Sequence, residues 1–284
     1  MPLSIVIPAH DEESVVGRCL GALVTGAREG ELEVVVACNG CRDRTAEVAR
    51  AFGGPVRVVE TPVASKIAAL NLGDRAVTGF PRFYVDADVV LTLDGVRAVA
   101  ARLAETGRPA ASPTMDLDLS RSTWPVRAFY AAWTRLPYVR EGMIGVGVYA
   151  LSEAGRSRFA AFPEVISDDG FVRSLFSAAE RLRVEEARVR VVAPSNLAAL
   201  IRVRTRSRLG LFELARRFPD QFDREHEAKG YLAAFAGFAI RPRLWPSVLV
   251  YATVNVAARI RARRQLRDRA AYVWERDASS RTSG

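Results

Sequence analysis

The feature that most constrains this chain is a fourfold alternation of apolar runs with helix-period segments over its first hundred residues. Residues 3–7 (closed by Pro8), 31–37, 56–60 and 81–86 are short β-type runs, mostly apolar. Such runs suit strands covered on both faces. Between them lie helical patterns: one reaching Val24, one over 45–52, and one running from Lys66 behind the capping residue Ser65. A fourth follows from Asp94 to Glu105, with Asp94 as its expected cap. Asp11 is the expected cap of the first helix, with Glu12 and Glu13 in its opening turn, where negative charge is favoured. Strands alternating with helices of this length predict an α/β fold with a mostly parallel, doubly wound sheet. The loops after successive parallel strands then share one edge, where such sheets bind ligands.

After Gly107 the rhythm changes. Residues 110–119 alternate like a strand, and 122–134 form an aromatic helix or lid carrying Trp124, Phe129, Tyr130 and Trp133. Residues 142–151 read as a glycine-punctuated strand, where glycine permits a bend or a close approach to a ligand. Asp168 and Asp169 stand just before a helix running through Phe176. Residues 184–192 are a further strand, followed by the basic segment 201–208 and a helix to about Lys229. Residues 231–240 and 244–258 are uncharged, each run shorter than the roughly 20 residues that span a bilayer. Arg259, Arg261, Arg263, Arg264, Arg267 and Arg269 follow. This tail is either a helix packed on the domain with a solvated basic end, or an element lying on an anionic leaflet. Residues 271–284 read as a frayed end.

Lysine and arginine number 41 against 32 acidic residues, a formal charge of +9. That balance favours a phosphate-bearing ligand, nucleic acid or an anionic membrane as partner. Three cysteines in 284 residues give no disulfide framework and fit a reducing compartment. The opening residues read as a first strand rather than a signal peptide, so the expected location is cytoplasmic. Cys38 and Cys41 form a CxxC between strand and helix, but no second pair accompanies them, which disfavours zinc and leaves redox chemistry a poor fit. With His10 and His226 the only histidines, a Ser-His-Asp triad is unsupported. Neither GxGxxG after a first strand nor GxxxxGK[ST] occurs, so dinucleotide and P-loop readings fail.

What remains is acidic. The run Phe83-Tyr84-Val85-Asp86-Ala87-Asp88-Val89-Val90 interrupts an apolar strand with two carboxylates. Burying these unpaired costs several kcal/mol, roughly, whereas a hard divalent cation with a diphosphate needs just such oxygens. The competing reading is a strand end with Asp88 opening a turn. Pro8 to Glu13, Asn39 to Asp43, and Ser65-Lys66 with Asn71 supply the neighbouring loops.

Four motifs then occur in order: Ser4-Ile5-Val6-Ile7-Pro8-Ala9-His10-Asp11-Glu12-Glu13, Asn39-Gly40-Cys41-Arg42-Asp43-Arg44-Thr45, Ser65-Lys66-Ile67-Ala68-Ala69-Leu70-Asn71-Leu72-Gly73 and Asp86-Ala87-Asp88. Together they resemble the large inverting family of GT-A-fold, nucleotide-sugar-dependent glycosyltransferases, family 2, over about residues 3–210. The resemblance implies a Rossmann-like GT-A domain over 1–210, with a nucleotide-sugar half to about 107 and an acceptor half from 108. A helical, apolar-then-basic extension occupies 211–284. It implies that Pro8, Ala9, His10 and Glu12 line the nucleoside pocket and that Lys66 belongs to the donor site. Asn39 stands where the family has an aspartate that reads the base. Asp86 would face the ribose and diphosphate, and Asp88, with Asp86, would hold Mg²⁺ or Mn²⁺. Asp169 would be the general base, paired with Asp168. Arg204 and Arg206 resemble the basic motif that closes on the diphosphate, although the usual tryptophan is missing.

The resemblance implies a nucleotide-diphospho-sugar donor and a hydroxyl acceptor that the sequence does not identify; the apolar-then-basic tail adds, as one alternative, a lipid-linked acceptor and an anionic membrane surface at the inner face, and nucleic acid is not expected. The Trp124–Trp133 segment would cover the acceptor. Rival readings are a retaining transferase, a sugar-phosphate nucleotidyltransferase, or a basic binding module without catalysis. The acidic loop after the first strand disfavours the nucleotidyltransferase.

Overall fold

The four apolar runs form one half of a single sheet. In chain order the elements are β1 (Leu3–Ala9), α1 (Val16–Val24), β2 (Leu32–Asn39), α2 (Thr45–Arg50), β3 (Val56–Thr61), α3 (Lys66–Ala76) and β4 (Arg82–Val85). There follow β5 (Val90–Leu91), α4 (Leu93–Thr106), β6 (Ala110–Asp118), α5 (Trp124–Trp133), α6 (Pro137–Arg140), β7 (Val148–Leu151), α7 (Glu153–Arg156) and α8 (Asp168–Ser174). The last are β8 (Arg181–Val192), α9 (Leu197–Arg217) and α10 (Trp245–Arg267). The computed structural model describes residues 1–221 and 241–267. The expected helix end near Lys229, the run 231–240, His226, Arg269 and the expected frayed end lie outside the described residues.

The strand order is β3-β2-β1-β4-β7-β6-β8-β5. β1 to β4 are parallel neighbours, β7 runs antiparallel to both β4 and β6, β6 and β8 are parallel, and β5 closes the edge antiparallel to β8. The runs of β1, β2 and β4 do not alternate because both faces are covered. Ile5, Ile7, Val34, Val36, Phe83 and Val85 pack on one side with Leu20, Ala46 and Val96 from α1, α2 and α4. Val6, Val35 and Tyr84 pack on the other with Ile67 and Leu70 of α3.

Several local expectations are corrected. Asp11 does not cap α1, whose first residue follows Val15 without a side-chain cap. The Asp11 backbone is left-handed (φ 50°), and its Oδ1 accepts the Arg42 N–H at 2.7 Å. Thr92, not Asp94, caps α4 by accepting the Gly95 N–H; Asp94 lies in the first turn and pairs with Arg97. The glycine-punctuated segment is a strand only over β7, because Gly142, Gly145 and Gly147 take φ of 83°, 65° and 67°, which ends an extended run. The strand expected over 184–192 begins earlier, at Arg181. The basic segment 201–208 lies inside α9, which Asn196 caps through the Ala199 N–H.

One buried network ties α3, β4 and α7 together. Asp74 Oδ1 accepts from Arg82 at 2.7 Å and from the Tyr84 hydroxyl at 2.5 Å, and its Oδ2 accepts from Arg156 at 2.6 Å. Burial pushes the Asp74 carboxyl up, but the Arg156, Tyr84 and Arg82 hydrogen bonds prevail and hold it below its ordinary value. A carboxyl lowered by folding stabilises fully above its unfolded pKa of about 3.9 and loses that contribution as pH falls through the folded value. Asp74→Ala leaves two buried guanidiniums without their carboxylate, so urea unfolding at pH 7 is expected to show a loss of about 3–5 kcal/mol. The deficit should shrink as the pH is lowered below the ordinary carboxylate range.

α10 packs against α5 and α9. Among the described residues, no helix is long and apolar enough to cross a membrane.

Candidate active site

At the C-terminal ends of β1, β2 and β4 a cavity of about 1270 Å³ opens, and it extends along α5, α8 and α9. Its acidic edge comes from the end of β4. After Val85 the chain turns, with the Val89 N–H bonded to the Asp86 carbonyl at 3.3 Å. Ala87 and Val89 are 4% and 6% exposed and anchor the turn in the core. Asp86 and Asp88, which alternate with them, lie on the cavity wall. The strand therefore ends in a turn that opens at Asp86 rather than at Asp88, and both carboxylates reach the cavity. The Asp86 N–H donates to the Gly147 carbonyl at 2.8 Å. A Cβ at residue 147 would sit 2.7 Å from Val89 Cγ1 and 3.3 Å from Asp86 Oδ2, so only glycine lets the loop before β7 lie so close.

Lys66 links this edge to the far wall. Ser65 caps α3 by accepting the Ala68 N–H at 3.2 Å. The Lys66 ammonium lies 2.7 Å from Asp86 Oδ1 and 2.9 Å from Asp168 Oδ1. Burial pulls the ammonium down, but Asp168 and Asp86 hold it well above an ordinary lysine. Asp168 is 5% exposed, and its Oδ2 accepts from the Tyr149 hydroxyl at 3.4 Å. Burial, opposed by Lys66 and reinforced by Asp169, raises the Asp168 carboxyl.

The pair on α8 is not needed for capping. Ser167 is the N-cap, accepting from the Gly170 N–H at 3.2 Å and donating to Asp169 Oδ1 at 2.6 Å. Asp169 Oδ1 also accepts the Gly170 N–H at 2.8 Å. Its Oδ2 has no hydrogen-bond partner among the described residues, and the side chain lies on the cavity wall. Asp168 is thus tied to a cation, whereas Asp169 is held by one oxygen with the other available to a ligand.

Pro8, His10, Glu12 and Asn39 line the same cavity, as do Arg204 and Arg206 from α9. His10 Nδ1 donates to the Asn39 carbonyl, which joins the first two loops. The Arg204 guanidinium stands 5.6 Å over the Phe129 ring and 5.9 Å from that of Trp133, close enough for a cation–π contact. Ala9 is not on the wall: it is buried, and its carbonyl accepts the Cys41 thiol. Asn71 is taken up by a reciprocal pair of hydrogen bonds with the Phe162 backbone at 2.9 and 2.8 Å. Of the aromatic segment, Tyr130 and Trp133 reach the cavity while Trp124 is 63% exposed. The residues that sequence reasoning missed are Tyr149 and Ser167, neither of which carries a local signal; Gly147 belongs to the glycine-punctuated segment already expected to approach a ligand.

Two candidate sites for other chemistry are weaker. Cys38 and Cys41 are both free thiols, and burial, with Cys41 alongside, pushes Cys38 up to about 12, which disfavours Cys38 as an attacking thiolate. His10, Asp11 and Cys41 bring one ligand atom each within 4.8 Å of one another. By contrast, Asp86 and Asp88 offer carboxylate oxygens on a wall that also carries cationic side chains. This donor set fits a hard divalent ion shared with a diphosphate.

The architecture has known counterparts. The mannosyltransferase PcManGT from Pyrobaculum calidifontis, solved with GDP-Man and Mn²⁺, superposes with a TM-score of 0.68 at 20% identity, covering 92% of this chain and 86% of that one. TarS residues 1–349 from S. aureus, solved with UDP-GlcNAc, gives 0.54 at 14% identity, covering 97% and 94%. At these identities the likeness speaks for the GT-A fold alone. No curated protein matches the chain. Residues 4–159, more than half of the sequence, match the family described as Glycosyl transferase family 2. By that match, and with the fold in agreement, this chain is a glycosyltransferase and belongs to glycosyl transferase family 2.

Proposed function

We propose that the protein is a metal-dependent, inverting glycosyltransferase that moves a sugar from a nucleotide-diphospho-sugar to an acceptor hydroxyl. The observation that carries this reading is the Lys66 bridge. It ties the acidic turn after β4 to α8, so that a diphosphate edge and a carboxylate base share one cavity. Pro8, His10, Glu12 and Asn39 form the nucleoside side, and Ala9, buried behind them, fixes the course of the loop. Asp86 and Asp88 hold Mg²⁺ or Mn²⁺, consistent with the Mn²⁺ bound in the mannosyltransferase of the same fold. When bound, the ion stabilises the negative charge that grows on the departing nucleoside diphosphate.

The chain's own residues do the rest. Arg204 and Arg206 lie on the cavity wall as counter-charges to that diphosphate. Lys66 pairs with Asp168 and so fixes the start of α8, which sets Asp169. Asp169 Oδ2 takes the proton from the acceptor hydroxyl as that oxygen attacks the anomeric carbon. Attack in line with the leaving diphosphate inverts the configuration, and the rigid placement of the two walls supplies much of the rate. Residues 1–107 form the donor half, 108–210 the acceptor half, and 211–284 an extension. The acceptor is a lipid-linked hydroxyl at the inner face of a membrane.

Asn39 replaces an aspartate expected to read the base, so the donor is decided by experiment. UDP-, GDP- and TDP-sugars are compared by thermal shift with and without Mn²⁺. One nucleobase is expected to stabilise the protein, only with the metal, and NMR of the product should show an anomeric configuration opposite to the donor's. Retention of configuration would overturn the in-line mechanism.

A further inference from the structure

α10 is unusual in being apolar on two faces. One is buried: Tyr251, Val254, Ala258 and Ala262 are at most 6% exposed. There Tyr251 stacks on Phe129 of α5 with ring centroids 5.3 Å apart, and Asn255 accepts a hydrogen bond from Arg208 of α9 at 3.3 Å. The other face should then be polar, as on an ordinary surface helix. It is not. Trp245, Leu249, Val256 and Ile260 are 58%, 68%, 57% and 49% exposed. At 3.6 residues per turn these four fall within an arc of about 60°, and at 1.5 Å per residue they form a ridge about 22 Å long.

The charge around that ridge has one sign. Arg241 and Arg243 are exposed just before it, and Arg259, Arg263 and Arg264 are exposed at its far end. No aspartate or glutamate occurs anywhere in α10. An exposed apolar ridge rimmed by polar groups marks an interaction site. A partner protein or a second copy would need acidic groups placed opposite five arginines spread over both ends. An anionic bilayer offers both complements at once, acyl chains for the ridge and headgroups for the arginines.

We propose that the outward face of α10 is a membrane-docking surface that seats this protein on anionic lipid. α5 and α9, the helices that carry α10, also contribute Tyr130, Trp133, Arg204 and Arg206 to the cavity. Docking through α10 therefore puts the acceptor half of the cavity at the lipid surface. That last consequence rests on the glycosyltransferase reading; the docking itself does not.

The test is flotation of the full chain with vesicles of phosphatidylcholine alone or with about a third phosphatidylglycerol. The expected result is at least about tenfold greater binding to the anionic vesicles, weakening as salt screens the arginines. The double variant Leu249→Glu, Val256→Glu should lose this binding about tenfold or more. Both residues are exposed, so its circular dichroism and its nucleotide-sugar thermal shift should match the parent. Absence of vesicle binding by the parent would overturn the proposal. So would undiminished flotation of the double variant, which would assign binding to charge without the ridge. A dimer by light scattering that the double variant dissolves would also overturn it, since a second copy would then be the occupant. Because donor binding is read on the same samples, its failure would count against the catalytic reading and leave the vesicle result standing.

Discussion

Asp169→Asn is expected to lower kcat by roughly 10²–10⁴-fold, the range typical for loss of a positioned general base. Donor affinity should stay nearly unchanged. The substitution is conservative in shape, and the amide oxygen can still accept from Ser167 and from the Gly170 N–H, the two bonds that hold Oδ1 now. What the amide cannot do is take up a proton at the position of Oδ2. Single-turnover kinetics beside calorimetric donor binding separates the two effects. A variant that turns over at the parental rate would remove Asp169 from the chemistry. One that also loses donor affinity would place this residue in binding instead.

Lys66→Met should have the largest structural effect of any change in the cavity. Its ammonium is the cation shared by Asp86 and Asp168, and Asp168 is almost fully buried beside Asp169. Removing one partner of a buried pair leaves an uncompensated charge and typically costs about 3–5 kcal/mol. Urea unfolding should show a loss of that order, and donor binding should fall as well, because Asp86 and the start of α8 lose their common tie. A stable variant with parental donor affinity would show that the bridge is incidental.

Much of this is legible in the sequence. β1, β2 and β4 stood out because both faces of the sheet are covered there, so their runs are mostly apolar rather than apolar at alternate positions; β3, at the edge, exposes Arg57 and Glu60. The acidic turn at Asp86 and Asp88 was legible because no core needs carboxylates there. Boundaries that depend on backbone handedness were less visible. Asp11 looked like a cap, yet it takes a left-handed conformation and bonds across to Arg42. The glycines at 142, 145 and 147 sit in a β-like composition but turn the chain away from extension. Contacts between distant segments were not visible at all. The Tyr149 hydroxyl reaches Asp168 only because β7 runs antiparallel to β4, and that pairing has no local signature. The second apolar face of α10 was hidden too, since a run apolar all round gives no sign of which side the protein covers.

The central claim is that the carboxylates ending β4 hold a metal that the donor diphosphate shares. Isothermal calorimetry of the preferred nucleotide sugar, with and without Mn²⁺, tests it directly on the parent protein and on Asp88→Asn. In the parent, Mn²⁺ should tighten donor binding by about tenfold or more, equivalent to at least ~1.4 kcal/mol. In Asp88→Asn the metal should make no difference. An equal Mn²⁺ effect in both proteins, or none in the parent, would contradict the account.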